Sequence, residues 1–134
     1  DVSVRQYDEL DRARFDGESY LRSLTAFLRE KYALRPPTVL VAGGEEALGF
    51  LLRHRAELFP QVPVVHAAVA RPFLSSLPPL PADVVGIPIE YDFPGTIALA
   101  LRWHPQARRL VVVTGSSAQD RAWEVALRGE VARF

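Results

Sequence analysis

Cysteine is absent from this chain, and its absence excludes several kinds of chemistry. Disulfide bonds, thiolate zinc sites, iron–sulfur clusters and cysteine nucleophiles all need a thiol, so none of them forms within these 134 residues. The composition is compatible with an oxidising compartment. The three histidines, His54, His66 and His104, fall on separate predicted elements without the spacing of a helical metal site. We therefore expect neither a metal centre nor a cofactor.

Net charge is also lacking, because 16 basic residues balance 16 acidic ones. A neutral chain has no long-range field to gather nucleic acid or an anionic membrane, so we expect neither as a direct partner. Nowhere do about eighteen apolar residues run together, so the sequence predicts no membrane-spanning helix.

Methionine is missing as well, and the first residue is Asp1. A helical pattern at residues 121–134 ends without a glycine or asparagine cap. The length and the 49% hydrophobic content suit one compact domain with a core, and not two full domains. We expect a single domain that is a piece of a longer protein.

What is present is an alternation of strands and helices. Three short apolar runs, at residues 38–42, 62–67 and 109–114, each stop in a cluster of small residues, and a helical pattern follows the first and third. This alternation predicts an α/β fold with a three-layer, Rossmann-like (flavodoxin-like) parallel sheet whose strands are buried on both faces. Further strands are predicted at residues 2–7 and 84–87, and amphipathic helices at residues 18–32, 45–57, 92–104 and after Ser117.

Ligands of parallel sheets bind beyond the carboxyl ends of the strands, which directs attention first to a glycine pair. Gly43 and Gly44 lie between a strand and a helix, where backbone N–H groups are able to hold a phosphate. The segment lacks the third spaced glycine of a dinucleotide site, and Glu45 and Glu46 would repel an anion. A tight turn is the favoured interpretation, and Gly44 and Glu45 remain candidate ligand contacts.

The second strand end offers His66 and Arg71. A side chain at the position of His66 faces either the crevice or the core, and a neutral core histidine is favoured. Arg71 suits a bidentate contact with a carboxylate or phosphate, but an ordinary surface arginine before Pro72 fits the sequence equally well. Both residues are candidate ligand contacts.

Acidic and aromatic residues follow the next predicted strand. Asp92 suits the N-cap of a helix, and Tyr91 would then face outward, available to stack on a small ligand. Further along, Ser116 and Ser117 follow the last apolar run, but residues 114–118 have one glycine fewer than a serine-hydrolase elbow. Capping by Ser117 with Asp120 is favoured over catalysis, and no set of residues makes a convincing catalytic unit. The strand ends point to binding.

Four segments carry a resemblance to a known family. The chain resembles the extracytoplasmic sensor regions of bacterial histidine kinases, which are similar to the substrate-binding proteins of ABC transporters with a periplasmic-binding-protein fold. The segments are residues 41–50 (VAGGEEALGF), 51–65 (LLRHRAELFPQVPVV), 91–105 (YDFPGTIALALRWHP) and 108–120 (RRLVVVTGSSAQD).

The resemblance implies two α/β lobes flanking a cleft. Residues 1–90 would resemble lobe one, and residues 91–134 would supply the crossover helix and the first strand and helix of lobe two. The implied function is a non-catalytic sensing domain, in the periplasmic or extracytoplasmic part of an inner-membrane protein. Its partners would be a small-molecule ligand, the remainder of the kinase and a second copy in a homodimer. The ligand contacts would be Gly44, Glu45, His66, Arg71, Tyr91, Asp92, Ser116 and Ser117.

Two other functions remain open from the sequence. A free solute-binding component of an ABC transporter would share the fold, and a small flavodoxin-like enzyme would use residues 114–117 for phosphate. Because a sheet without its central strand exposes unpaired edges, we also expect residues 110–114 to join residues 38–42 in one continuous parallel sheet.

Overall fold

The structure is a computed structural model that describes residues 8–12, 14–15, 17–132 and 134. The strand predicted at residues 2–7 lies outside the described residues. The chain forms two compact units, Asp1–Glu90 and Tyr91–Phe134. Within the described part of the chain, no helix has the length and apolar character to cross a membrane. The elements in order are α1 (Glu18–Tyr32), β1 (Leu40–Gly43), α2 (Glu45–Leu58), β2 (Val64–Ala67), α3 (Arg71–Ser76), β3 (Val84–Gly86), α4 (Phe93–Trp103) and α5 (Ala118–Val131).

A small parallel sheet organises the first unit and confirms the α/β class. The strand order is β1-β2-β3, with Val41 opposite Val65 and Val65 opposite Val85. Past the ends of β2 and β3, an isolated parallel bridge between Ala70 and Ile89 extends the pairing. Each strand falls in a predicted apolar run, but β1 and β2 begin two residues later than predicted, at Leu40 and Val64, whereas β3 begins at Val84 as predicted.

Helices cover one face of this sheet. Successive strand residues point to opposite faces, so Ala42, Val64 and Val84 share a face, and all three are buried. Leu48 of α2 joins them in the core, as do side chains of α3 and of the segment that follows it. The partly buried residues packed against this core are Leu40, Ala47, Leu51, Leu52, Phe73, Leu74, Leu77 and Leu80.

The opposite face of the sheet is apolar and exposed. It presents Val41, Val65 and Val85 in one row across the three strands, and Val41 is 70% exposed. Val39 and Ile87 are exposed too. The prediction of strands buried on both faces therefore holds for one face of the described sheet and not for the other.

Residues 109–114 form no strand, so the prediction of a buried strand there is wrong. Val111 and Val113 are exposed. A strand is stabilised by hydrogen bonds to a neighbouring strand, so a run of β-branched residues is not sufficient by itself. The expected continuous sheet that includes residues 110–114 fails for the same reason, because the described sheet consists of β1, β2 and β3.

Helix α1 has the bounds that its periodicity predicts. Leu21, Thr25 and Leu28 form its buried stripe, and the Thr25 hydroxyl donates a hydrogen bond of 2.7 Å to the Leu21 carbonyl, which lets this polar side chain be buried. Phe27 is apolar but exposed, because it lies about 100° around the helix from Leu28.

Three polar side chains tie the segment before α1 to the end of that helix. Asp8 accepts hydrogen bonds from the Lys31 ammonium and the Tyr32 hydroxyl. Burial raises the pKa of Asp8, but these two hydrogen bonds outweigh it and hold that pKa below its ordinary value. The same contact raises the pKa of Lys31, the one lysine of the chain. Lys31 also lies 5.5 Å from the centroid of the Phe27 ring, so the cluster ties the segment before α1 to the last two turns of that helix.

A second ion pair joins α2 to the start of β3. The Arg55 side chain is only 16% exposed. Its guanidinium donates hydrogen bonds to both carboxylate oxygens of Asp83, at 2.8 and 2.6 Å, and to the Val62 carbonyl at 3.2 Å. A planar, multiply bonded arginine fixes orientation as well as distance. It therefore holds α2 against the entrances to β2 and β3.

Gly86 allows β3 to approach β2. A Cβ there would lie 2.3 Å from the His66 carbonyl oxygen, which belongs to the ladder and has no room to move. We predict that Gly86→Ala lowers the free energy of unfolding by about 2 kcal/mol. In the matched control Gly49→Ala, inside α2 with no atom within 4 Å of a new Cβ, we expect a rise of about 0.5–1 kcal/mol. Urea unfolding followed by circular dichroism measures both, and equal midpoints would contradict the close approach.

Candidate ligand-binding site

The carboxyl end of the sheet brings together four of the predicted contacts. Gly44 follows β1 and donates its backbone N–H to the Ala67 carbonyl at 2.8 Å. Glu45 opens α2 immediately after it, and His66 lies one residue before the end of β2. Arg71 begins α3, beyond β2. Parallel strands end at the same edge, which is why residues distant in sequence meet here.

Gly44 has the backbone conformation of a tight exit turn. Its φ of 92° lies in the region that residues with side chains rarely adopt, and it serves as the N-cap of α2 without a side-chain cap. Glu45 and Glu46 occupy the first helical turn, where the dipole favours their negative charge. The turn is therefore built for chain reversal, and its acids disfavour phosphate.

His66 is the most unusual side chain of this edge. It is 4% exposed and lies on the helix-covered face with Ala42 and Val64. Its Nδ1 is buried, and among the described residues it has no hydrogen-bond partner. The favoured interpretation of a core histidine fits this burial, but a buried polar atom without a partner costs free energy, so most such atoms are bonded. This nitrogen lies beside Gly86 of β3, where a Cβ would be 2.6 Å from it, near the carboxyl edge of the sheet.

Arg71 lies on the rim of the same edge. Its Nε pairs with the Glu90 carboxylate, which follows β3, and both side chains are more than half exposed. The backbone between them is fixed by the Arg71 N–H, which donates to the Ile89 carbonyl at 3.3 Å. The pair is accessible from solvent, so a ligand carboxylate is able to compete for Arg71.

Ala68 adds backbone strain just beyond β2. Its φ of 55° is left-handed, which costs a residue with a Cβ roughly 1–2 kcal/mol. Such strain concentrates at functional sites. The sequence carries no sign of it, because alanine is not a residue typical of that conformation.

The second unit holds the other four predicted contacts. Tyr91 is 46% exposed and stacks on Phe93, with ring centroids 5.8 Å apart and planes 10° apart. It also meets Trp123 of α5 in an edge arrangement at 5.1 Å. Sequence reasoning selected Tyr91 and missed Trp123, because an aromatic residue within an amphipathic helix pattern predicts core packing.

Asp92 caps α4, as the sequence predicts. Its Oδ1 accepts a hydrogen bond from the Gly95 backbone N–H at 2.8 Å, and a Cβ at Gly95 would lie 2.1 Å from Oδ2. The carboxylate is exposed and has one oxygen outside this bond. A depression of about 530 Å³ beside it follows a single helix and has no second wall, since its lining is Asp92, Gly95, Thr96, Ala98, Leu99 and Arg102.

Ser116 and Ser117 start α5. The Ser116 carbonyl accepts a hydrogen bond of 2.6 Å from Arg121, and Ser117 forms the predicted capping box with Asp120. Hydrogen bonds from the Ser117 hydroxyl and backbone N–H hold the pKa of Asp120 below its ordinary value. The hydroxyl of Ser117 is thus used for capping.

The arrangement suits binding at two places, one in each unit. The first unit holds Gly44, Glu45, His66 and Arg71, and the second holds Tyr91, Asp92, Ser116 and Ser117. Among the described residues, no three histidine, aspartate or glutamate side chains group as metal ligands would. No protein-family model, curated protein or solved structure matches the chain significantly.

The capping box predicts a pH response. Because the folded pKa of Asp120 is depressed, its stabilisation of α5 is present above the ordinary value of 3.8 and is lost as the pH falls through the folded pKa. We expect Ser117→Ala to raise the Asp120 pKa toward 3.8 and to lower helicity at neutral pH. A carbon-detected NMR titration of the carboxyl group measures the shift, with Ser116→Ala as the control. An unchanged Asp120 pKa in Ser117→Ala would contradict the box.

Proposed function

We propose that this chain is part of the extracytoplasmic sensing domain of a two-component histidine kinase, which binds a small solute and signals across the membrane. The observation that carries the proposal is His66, near the carboxyl edge of a parallel sheet, whose buried Nδ1 has no hydrogen-bond partner in the part of the chain that the structure describes. That edge is where open α/β sheets bind ligands. The resemblance of residues 41–65 and 91–120 to such sensors supports the same function.

We also propose the finer architecture, a three-layer α/β/α lobe of the periplasmic-binding-protein fold. The exposed row of Val41, Val65 and Val85 supports it, because a second layer of helices would cover this face. The first unit ends at Glu90, which is also where the resemblance implies that lobe one ends.

The proposed mechanism is binding of a solute that favours one conformation of the sensing domain. In the first unit, His66 would supply its buried nitrogen, Arg71 would exchange Glu90 for a ligand carboxylate or other anion, and Gly44 and Glu45 would form the adjoining turn. In the second unit, Tyr91 would offer its ring to a ligand bound in that unit. Ligand binding signals only if the solute binds one conformation of the protein more tightly than another. The remainder of the kinase, and a second copy in a homodimer, would respond to the resulting change of conformation.

A solute-binding component of an ABC transporter is the second candidate, since it would use the same residues. A phosphate-binding enzyme built on residues 114–117 is disfavoured, because the Ser117 hydroxyl and the Asp120 carboxylate are engaged with each other. The site residues favour a binding protein of either kind over that enzyme.

The complete reading frame distinguishes these functions. A membrane span followed by a kinase dimerisation helix and an ATP-binding domain is the expected result. A lipoprotein leader and a stop codon soon after a second lobe would favour the transport protein. A frame with neither feature would contradict both.

A thermal-shift screen with small solutes tests the site itself. We expect one solute class to raise the Tm, and Arg71→Ala and His66→Leu each to remove most of that rise. His66→Leu also removes the buried unpaired nitrogen, so the ligand-free Tm should stay unchanged or increase. Arg53→Ala, exposed on α2, is the control and should keep the full shift. A shift that survives both substitutions would refute this placement of the site, and no shift with any solute would refute ligand binding.

A further inference from the structure

Three aromatic rings form one surface cluster in the second unit, called here the aromatic platform: Tyr91, Phe93 and Trp123. Tyr91 contacts both of the others, at centroid distances of 5.8 Å to Phe93 and 5.1 Å to Trp123. Tyr91 is 46% and Trp123 is 38% exposed, and Phe93 is half-buried. The platform thus joins the N-terminus of α4 to α5 and still offers ring surface to solvent.

Exposed aromatic faces are electron-rich and attract cations. A cation within about 6 Å of a tryptophan or tyrosine ring is bound most strongly when it has lost its hydration water. Methylated ammonium groups are weakly hydrated, so they lose this water most easily. Asp92, between Tyr91 and Phe93 in sequence, adds a negative charge. Among the described residues no arginine or lysine is ion-paired with Asp92, and only one of its oxygens accepts the capping hydrogen bond.

The basic residues near Trp123 on α5 are engaged elsewhere. Arg128 donates to the Glu124 carboxylate at 3.0 and 2.7 Å, and Arg121 donates to the Ser116 carbonyl at 2.6 Å. Asp120 carries a further negative charge one turn before Trp123, within the capping box. Arg102 lines the same depression as Asp92 but belongs to the last turn of α4, and among the described residues no ion pair joins the two. Asp92 and Asp120 therefore leave the surroundings of the rings favourable to a cationic group.

We propose that the aromatic platform binds an organic cation with a methylated quaternary nitrogen, whose charge is shared between the rings of Tyr91 and Trp123 and the Asp92 carboxylate. This names the ligand class for the contacts within the second unit, and it rests on the proposed function as a ligand-binding sensor.

Choline and its uncharged carbon isostere, dimethylbutanol, test the proposal by isothermal titration calorimetry on the whole chain. The two probes have the same shape and differ in charge. We expect choline to bind at least tenfold more tightly than the isostere. Equal affinities, or no binding of choline, would overturn the proposal.

Variants assign the binding to the platform. We expect Tyr91→Leu and Trp123→Leu each to weaken choline binding at least fivefold, and Asp92→Asn to weaken it while keeping the α4 cap, since asparagine caps helices equally well. Trp103→Leu is the control, because Trp103 is 68% exposed at the end of α4 and lies outside the platform. Circular dichroism identifies a variant that fails to fold. If the ring variants fail to fold, the choline affinity of Asp92→Asn decides whether the platform binds the cation. Choline affinity unaffected in the folded variants would refute the site.

The outcomes separate the ligand class from the sensor function. If another solute stabilises the chain through Arg71 while choline does not bind, the cation proposal fails and the sensor function stands. If choline binds the platform and the reading frame encodes neither a kinase nor a transport protein, the cation site stands and the sensor function fails.

Discussion

Both crossover connections of the sheet lie on one face, and the rest of the first unit depends on this constraint. Connections of the same hand between strands in the order β1-β2-β3 fall on the same side. Leu48 of α2 and Leu74 of α3 accordingly meet the same core beside Val64. One row of strand residues is buried as a consequence, and the alternate row with Val41 is left without a helix.

The same one-sided packing accounts for the position of His66. It projects to the helix-covered face, one residue before β2 ends, where the core reaches the carboxyl edge of the sheet. Gly86 leaves room for it, since a Cβ there would lie 2.6 Å from its Nδ1. Packing on this face therefore fixes the orientation of the histidine, while no group among the described residues hydrogen-bonds to its Nδ1.

In the second unit, helix caps and exposed aromatic rings lie in the same short segments. Asp92 caps α4 and carries charge beside two aromatic rings, while Ser117 is committed to its capping box with Asp120. Local hydrogen bonds of this kind need only a few neighbouring residues, which is why sequence patterns predicted them well. The contact between Tyr91 and Trp123 joins residues that are 32 positions apart, so no local sequence pattern predicts it.

The amino-acid sequence by itself determined what depends on near neighbours: the bounds of α1, the caps of α4 and α5, and the glycine turn after β1. Its alternation of strands and helices predicted the α/β class, with Gly44, Glu45, His66 and Arg71 at or just beyond the carboxyl ends of strands. Only the tertiary structure decided which strands pair, and in the described sheet residues 109–114 are not a strand despite their β-branched run. It alone decided that Nδ1 of His66 is buried with no hydrogen-bond partner among the described residues, and that Arg71 pairs with Glu90. The physical reason is that pairing and burial are made between residues distant in sequence, whereas helix periodicity and capping are complete within a few turns.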